Sequence, residues 1–313
     1  MTRSLLSRFT LLLVWSSVGS RLFAQPAPQS EAIVRADKNL VLVPISVIDE
    51  RDRPVTGLER NHFRVFDNRV EQTIESFSRE DEPLAVGIVF DTSGSMGGKL
   101  RRSRLAVKAF LDTANPDDQF LLVEFSNHPT ITIPLTNDPN EIENRLVLSE
   151  AKGSTALLDA IYVGLSEIKK SNKARKALLI ISDGGENHSR YRYREIEKFV
   201  SESDVLIYSL GIFDSAGTPE ELGGPSLLSW IAEQTGGRAY SVYERDLPDI
   251  AGKIGSELRN RYVLGFSPRG QPCDGRYHRL QVKMVRTHGL PPLLPSWRLG
   301  YFAPDDPRTP CSR

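Results

Sequence analysis

Five side chains spread along the sequence could together hold a hard divalent cation: Asp91, Ser93, Ser95, Thr155 and Asp183. All are oxygen donors, and no thiol or imidazole is among them. Mg²⁺ takes oxygen ligands in an octahedron at about 2.0–2.1 Å and readily keeps water in part of its shell. In Asp91-Thr92-Ser93-Gly94-Ser95 the acid and both hydroxyls fall on every second residue. That spacing lets alternate side chains turn toward one point, and Gly94 permits the sharp turn between them. Taken singly, each piece also has a plain structural explanation. Asp and Ser ahead of a helix cap it, Thr155 ahead of a helix does the same, and Asp183 beside Gly184 and Gly185 makes a turn. Their order, each after a different predicted element, favours one shared site. Asp159 and Glu186 lie nearby and read as structural or rim acids.

Enzyme chemistry fits these residues less well. Ser93-Gly94-Ser95-Met96-Gly97 approaches a nucleophile elbow, but a serine stands where its first glycine is needed. His278 and His288 fall beyond the predicted α/β region, and His62, His128 and His188 form no ligand pair with them. No phosphate-cradling loop followed by Lys and Ser or Thr occurs. A metal-dependent hydrolase is the rival reading, yet such centres commonly use histidines or several direct carboxylates to activate water. The expectation is therefore a binding module and not an enzyme.

Stepping along the chain, three zones emerge that would have to position these residues. Leu40–Ile48 is a near-continuous apolar run, and His62–Phe66 and Val70–Phe77 alternate around a turn at Asp67-Asn68-Arg69, which predicts a hairpin. From Pro83 to about Tyr262 strands and helices alternate. Strands are expected at Leu84–Phe90, Gln119–Phe125, Ile131–Leu135, Ala177–Ile181, Val205–Ile212 and Arg238–Val242. Helices are expected around Leu105–Phe110 and over Ala156–Ile168, Tyr193–Val200, Pro225–Thr235 and Leu247–Leu258. From Tyr262 onward β patterning returns, at Tyr262–Ser267, Tyr277–Val285 and Trp297–Phe302, with Gly289–Pro295 and the end of the chain as loop and tail. Alternating strands and helices imply a mainly parallel sheet covered on both faces. Ligands of such open sheets gather at the carboxyl ends of the strands, where Asp91, Thr155 and Asp183 would meet.

The chain has 313 residues, with 40 Lys plus Arg against 40 Asp plus Glu. That balance argues against a nucleic-acid binder. The densest basic run, Lys99-Leu100-Arg101-Arg102-Ser103-Arg104, reads as the solvated face of a starting helix. Arg3 and Arg8 precede an apolar stretch from Phe9 to Gly19, shorter than the roughly 20 residues a spanning helix needs. This is the pattern of a cleaved export signal ending near Ala24, with an uncleaved helix anchor as the alternative. A secreted or periplasmic location follows, with no stable membrane span after cleavage. In that setting Cys273 and Cys311 are expected to form a disulfide.

The residues Asp91-x-Ser93-x-Ser95, Thr155 within Gly153-Ser154-Thr155-Ala156-Leu157-Leu158-Asp159-Ala160, and Asp183 within Ile181-Ser182-Asp183-Gly184 resemble the metal-ion-dependent adhesion site of von Willebrand factor A domains. From about Leu40 to Pro304 the chain also resembles bacterial secreted proteins of the acidobacterial "VWFA-related" type. The resemblance implies a Rossmann-like α/β domain. It implies that Ser93, Ser95 and Thr155 touch the metal directly while Asp91 and Asp183 often act through water. The cation would be Mg²⁺ first, with Mn²⁺ or Ca²⁺ as alternatives, and the partner a protein offering an Asp or Glu carboxylate. The rim, Gly97–Lys99, Asn127–His128, Gly153–Ser154 and Glu186–Tyr193, would select that partner. The expected organisation is a signal over 1–24, a linker over 25–38, a β segment over 39–82, the adhesion-type domain over 83–262 and a C-terminal β segment and tail over 263–313. The two β segments are expected to join into one small all-β domain around the inserted α/β domain.

Overall fold

The computed structural model describes residues 40–80, 82–213, 221–242, 246–272, 274–285 and 292–303, all within one compact unit spanning residues 37–313. The expected export signal and linker, and both cysteines, lie outside the described residues. Among the described residues no helix is long and apolar enough to cross a membrane.

The chain enters through four strands, β1 (Val41–Ile48), β2 (Phe63–Asp67), β3 (Val70–Gln72) and β4 (Ser76–Glu80). The α/β region follows: β5 (Leu84–Asp91), α1 (Leu100–Leu111), β6 (Gln119–Phe125), β7 (Pro129–Thr136), α2 (Pro139–Val147), α3 (Leu157–Ile168), β8 (Arg175–Ser182), α4 (Tyr193–Ser201), β9 (Leu206–Ile212), α5 (Gly224–Thr235), β10 (Ala239–Val242) and α6 (Leu247–Arg259). Four strands complete it, β11 (Arg261–Phe266), β12 (Tyr277–Met284), β13 (Leu294–Trp297) and β14 (Gly300–Phe302).

The central sheet has the order β10-β9-β8-β5-β6-β7. Its strands are parallel except β7, which runs antiparallel beside β6. Every residue of β5 is buried, as expected of a near-continuous apolar run covered on both faces. Alternation sorts its side chains between two cores. Val86, Ile88 and Phe90 pack with α1 and α6, whereas Ala85 and Val89 pack with α3, α4 and α5. From β5 the chain moves outward to β6 and β7 on one side, then returns and moves outward through β8, β9 and β10 on the other. The order thus reverses beside β5, and a crevice opens at the carboxyl ends of β5, β6 and β8.

The flanking segments interleave. Strand β1 sits between β13 and β11 in the sheet β13-β1-β11-β4, and β12 sits between β14 and β2 in the sheet β14-β12-β2-β3. Their third core is built from Val43, Ile45, Phe63, Val65, Tyr262 and Leu280 among others. The α/β fold with all-β layers made from both ends of the region is what the chain forms.

The structure corrects three local expectations. The strand expected to run from Val70 to Phe77 stops at Gln72, and Ser76–Glu80 pairs instead with β11 in the other sheet. The strand expected over Trp297–Phe302 is two short strands, and the first begins within the expected loop, at Leu294. Pro295 is tolerated there because β13 is an edge strand, where a missing N–H costs no ladder bond. Helix α2 was not anticipated, although Asp138 caps it by accepting from Asn140 N at 2.9 Å and Pro139 opens it.

One buried acid joins the layers. Glu257 on α6 accepts from the Tyr208 hydroxyl at 2.9 Å, the Tyr240 hydroxyl at 3.2 Å and Arg238 Nε at 3.2 Å. The Tyr208 hydroxyl in turn lies 3.3 Å from Ser46 Oγ on β1.

Candidate metal centre

Strand β5 delivers Asp91 to the crevice fully buried. Its Oδ1 accepts from Ser93 N at 2.8 Å, and its Oδ2 accepts from Ser182 Oγ, at the end of β8, at 2.5 Å. The chain beyond Asp91 is clamped by its neighbours. Thr92 N and Thr92 Oγ1 both donate to Phe125 O, at 2.8 and 2.9 Å. Gly94 N donates to Gly153 O at 2.9 Å, and Lys152 N donates to Thr92 O at 2.8 Å. The segment then winds into a 3-10 turn over Gly94–Met96, which brings Ser93 Oγ and Ser95 Oγ within 3.1 Å of each other. Ser93 is buried and Ser95 exposed, so this pair runs from the floor of the crevice to its mouth.

Thr155 is held by its backbone from the loop after β8. Its N donates to Asn187 Oδ1 at 2.9 Å, and its O accepts from Asn187 N and His188 N at 3.0 and 3.1 Å. The amides opening α3 are satisfied by that same loop: Leu158 N donates to Glu186 Oε2 at 2.9 Å and Asp159 N to Ser189 Oγ at 3.1 Å. The cap residue of α3 is Ala156, so the Thr155 hydroxyl is not the side-chain cap of the helix it precedes.

Asp183, also fully buried, accepts from Gly185 N at 3.2 Å through Oδ1 and from Lys99 Nζ at 3.0 Å through Oδ2. A Cβ on Gly185 would stand 3.3 Å from Asp183 Oδ1 and 3.6 Å from Thr155 Oγ1. The bare glycine therefore leaves room where these two oxygens approach each other. Asp91 is linked to Ser93 and to Ser182, Ser93 to Ser95, and Asp183 to the Thr155 side by this gap. The structure thus gathers all five residues at one rim.

Burial pushes the Asp91 carboxyl up from 3.8 to about 7, and the negative charge of Asp183 pushes it the same way, against the hydrogen bonds from Ser182 and Ser93. Two buried carboxylates that repel each other, lined by hydroxyls, suit a small hard cation. Among the described residues no group of three or more His, Cys, Asp or Glu is arranged around one point. The five oxygen donors include only two acids, so the set differs in kind from such a group and fits Mg²⁺ or Mn²⁺ through its hydroxyls.

The surrounding acids have structural work. Asp159 Oδ1 accepts from Arg190 N and Tyr191 N at 2.9 and 3.0 Å, and Glu186 Oε1 accepts from His188 N and Ser189 N at 3.1 and 2.9 Å. Both pin the loop that follows Asp183. At the rim Ser154 N donates to Asn127 Oδ1 at 2.6 Å, and the rings of His128 and His188 lie 5.8 Å apart. Tyr191 stacks on Tyr162 at 4.3 Å, while Tyr193 is half exposed.

The basic run needs a correction. Arg101 is exposed as expected, but Lys99 is only 1% exposed and faces into the crevice. A clue was present in the sequence. A lysine at the start of a helix opposes the helix dipole, and such a placement asks for a local reason.

Gly184 sets the loop's path. Its φ is +74°, and a Cβ would fall 2.5 Å from Gly224 Cα and 2.7 Å from Gly224 O at the start of α5. Gly184→Ala is expected to cost roughly 2 kcal/mol or more, from left-handed strain and backbone collision together. Urea unfolding measures it, and an unchanged midpoint would show that the loop can take another path.

A family model described as von Willebrand factor type A domain matches residues 86–186, a span that contains Asp91, Ser93, Ser95, Thr155 and Asp183. An uncharacterized protein of Borreliella burgdorferi is 27% identical over 180 residues, covering 50% of this chain and 52% of that one. Inter-alpha-trypsin inhibitor heavy chain H4 of Bos taurus is 28% identical over 180 residues, covering 52% of this chain and 19% of that one. The chain thus spans about half of the first relative's length and a much smaller share of the second's. Among solved structures, a von Willebrand factor type A protein from Catenulispora acidiphila aligns with a TM-score of 0.49 at 12% identity, covering 84% of this chain and 72% of that one.

Proposed function

Since the chain carries a von Willebrand factor type A domain, we propose that it is a protein-binding module that captures an acidic side chain of a partner through one divalent cation held by Asp91, Ser93, Ser95, Thr155 and Asp183. The observation that carries this reading is the meeting of two buried, mutually repelling carboxylates with three hydroxyl-bearing residues at the carboxyl ends of β5 and β8. Bound there, the cation would supply an electrophilic position for a carboxylate. Ser93, Ser95 and Thr155 are neutral donors, so they would leave much of its charge uncompensated. Ser182 and Ser93 N fix the orientation of Asp91, and Gly185 N and Lys99 fix that of Asp183. The rim of Asn127, His128, Ser154 and His188 surrounds the mouth and would discriminate among partners. Mg²⁺ is the preferred ion, with Mn²⁺ able to replace it.

This reading assigns the chain no reaction. Export to a secreted or periplasmic setting belongs to the proposal as well, and rests on the short apolar run Phe9–Gly19 behind Arg3 and Arg8. The test is a pull-down from the exported fraction of the source organism. The partner should be captured with Mg²⁺, lost with EDTA and recovered when Mn²⁺ is added. A partner that ignores EDTA, or that binds Asp183→Ala as tightly as wild type, would place recognition on another surface.

A further inference from the structure

The hairpin turn between β2 and β3 carries an unexpected residue. Asp67 pairs with Val70, so the loop consists of Asn68 and Arg69, whose φ angles are +45° and +73°. Both sit in the left-handed region, as a tight turn matched to the twist of a hairpin requires. Asparagine tolerates that region, and glycine is the residue best suited to follow it. Here an arginine takes that place, in a conformation that residues other than glycine seldom adopt. Strain kept where an unstrained residue would serve the turn points to a use for the side chain.

Arg69 lines a cavity of about 510 Å³ on the β layers, together with Asn68, Arg279, Leu280, Gln281 and Trp297. That volume lies within the roughly 300–1,000 Å³ of small-molecule sites, and none of these lining residues is an acid. Arg279 and Gln281 lie on the outer face of β12, since His278, Leu280 and Val282 are buried on the inner one. The side chains of Arg69, Arg279 and Gln281 make no hydrogen bond or ion pair among the described residues. The nearby backbone donors are spent. Asn68 N donates to Arg279 O at 2.9 Å, Arg279 N to Asn68 Oδ1 at 3.0 Å and Leu280 N to Leu299 O at 2.8 Å. Asp67 is fully buried and accepts from the Tyr301 hydroxyl at 2.7 Å. Trp297 is half-buried, and its Nε1 donates to Leu280 O at 3.2 Å, which fixes the indole beside β12.

We infer that this cavity binds an anionic sugar, with Arg69 and Arg279 on its carboxylate or sulfate, Gln281 on its hydroxyls and Trp297 against the apolar face of its ring. With the backbone donors spent, an anion has only the two guanidiniums to hold it, and their flat forks match two oxygens of one oxyanion. The Gln281 amide both donates and accepts, as a pair of sugar hydroxyls does. The indole supplies a flat apolar wall for the C–H face of a sugar ring, whose polar edges stay free for the amide and the arginines. The cavity shares no residue with the candidate metal centre, so the inference stands apart from the metal-binding reading.

The experiment is calorimetric titration of the full chain in EDTA, comparing wild type, Arg69→Gly and Arg279→Gln. The probes are a galacturonic acid trimer, a sulfated heparin disaccharide, an uncharged glucose trimer and AMP. Wild type is expected to bind one or both charged sugars saturably and the glucose trimer not at all. The trimer and the disaccharide tell a carboxylate from a sulfate as the preferred anion. Each variant should weaken that binding at least about tenfold, the worth of a charge-assisted hydrogen bond. Arg69→Gly should melt at or above the wild-type temperature, because glycine suits the turn, so its lost binding would not reflect a lost fold. Should it melt lower, Arg279→Gln decides, since that residue is exposed on the outer face of β12. The inference is overturned by AMP binding more tightly than either charged sugar. It is equally overturned if neither charged sugar binds saturably at millimolar concentration, or if both variants bind as wild type does. With EDTA present throughout, none of these results bears on the metal centre.

Discussion

Asp91→Ala is expected to remove the metal response of the protein entirely. In wild type, a cation that binds only the folded chain should stabilise it by about 2.7 kcal/mol at a hundredfold excess over its Kd. Without metal, the buried Asp91 carboxyl is raised from 3.8 to about 7, so folding takes up a proton between those values. The unfolded chain holds fewer protons there, and stability must fall as pH rises through that window. The full loss, reached above about pH 7, corresponds to roughly 4 kcal/mol. Melting curves at pH 5 and pH 8, with Mg²⁺ and with EDTA, display both effects. Wild type in EDTA should weaken from pH 5 to pH 8, and Mg²⁺ should restore it at pH 8. The variant should lack this pH-dependent loss and should not respond to Mg²⁺. An equal Mg²⁺ response in both proteins would reject Asp91 as part of the centre.

Glu257→Ala is expected to be the most destabilising single change away from that centre. Glu257 is buried on α6 and serves three donors at once, the hydroxyls of Tyr208 and Tyr240 and the guanidinium of Arg238. Burial and the nearby Glu257 charge push both tyrosine hydroxyls well above their ordinary range, so they remain neutral donors. Removing the acid leaves these donors, one of them cationic, without their acceptor inside the protein. Breaking a buried pair from one side costs about 3–5 kcal/mol. Because Tyr208 also touches Ser46 on β1, the loss should loosen the β layers against the central sheet. Glu257→Gln keeps one acceptor oxygen and should cost less. Urea unfolding followed by tryptophan fluorescence measures both. A loss below about 1 kcal/mol for Glu257→Ala would show that the network is not a structural joint. Metal affinity of the folded variant should be unchanged, since Tyr208 lies toward the amino end of β9 and the centre at the carboxyl ends of β5 and β8.

Much of the centre was legible because its parts are local and chemically uniform. The run from Asp91 to Ser95 is contiguous, and Thr155 and Asp183 each sit at the end or start of an element that hydrophobic patterning reveals. The central sheet was legible for the same reason: Leu84–Phe90 and Ala177–Ile181 are apolar runs, and Leu206–Ile212 is broken only by Ser209, which marks strands buried on both faces. What escaped was decided by contacts distant in sequence. Lys99 reads as part of a solvated basic run until α1 is placed and its ammonium meets Asp183, 84 residues away. Val70–Phe77 reads as one alternating strand, but Phe77 falls out of phase with Val70 and Ile74, and the chain crosses between two sheets at residues 73–75. Glu257 looks like any helix acid because its three partners come from β9, β10 and the residue just before β10. Asp138-Pro139 was a readable helix start, and α2 follows it, but the short apolar face of Ile142 and Leu146 gave little periodicity to read.

On the proposed reading, Ser93, Ser95 and Thr155, backed by Asp91 and Asp183, hold one divalent cation. A crystal structure of the protein grown with Mn²⁺, with anomalous diffraction recorded near the manganese edge, tests it most directly. A single strong anomalous peak is expected in the crevice, within about 2.0–2.4 Å of oxygens from Ser93, Ser95 and Thr155. A peak bound only elsewhere, or an empty crevice at saturating Mn²⁺ with Lys99 still on Asp183, would contradict it.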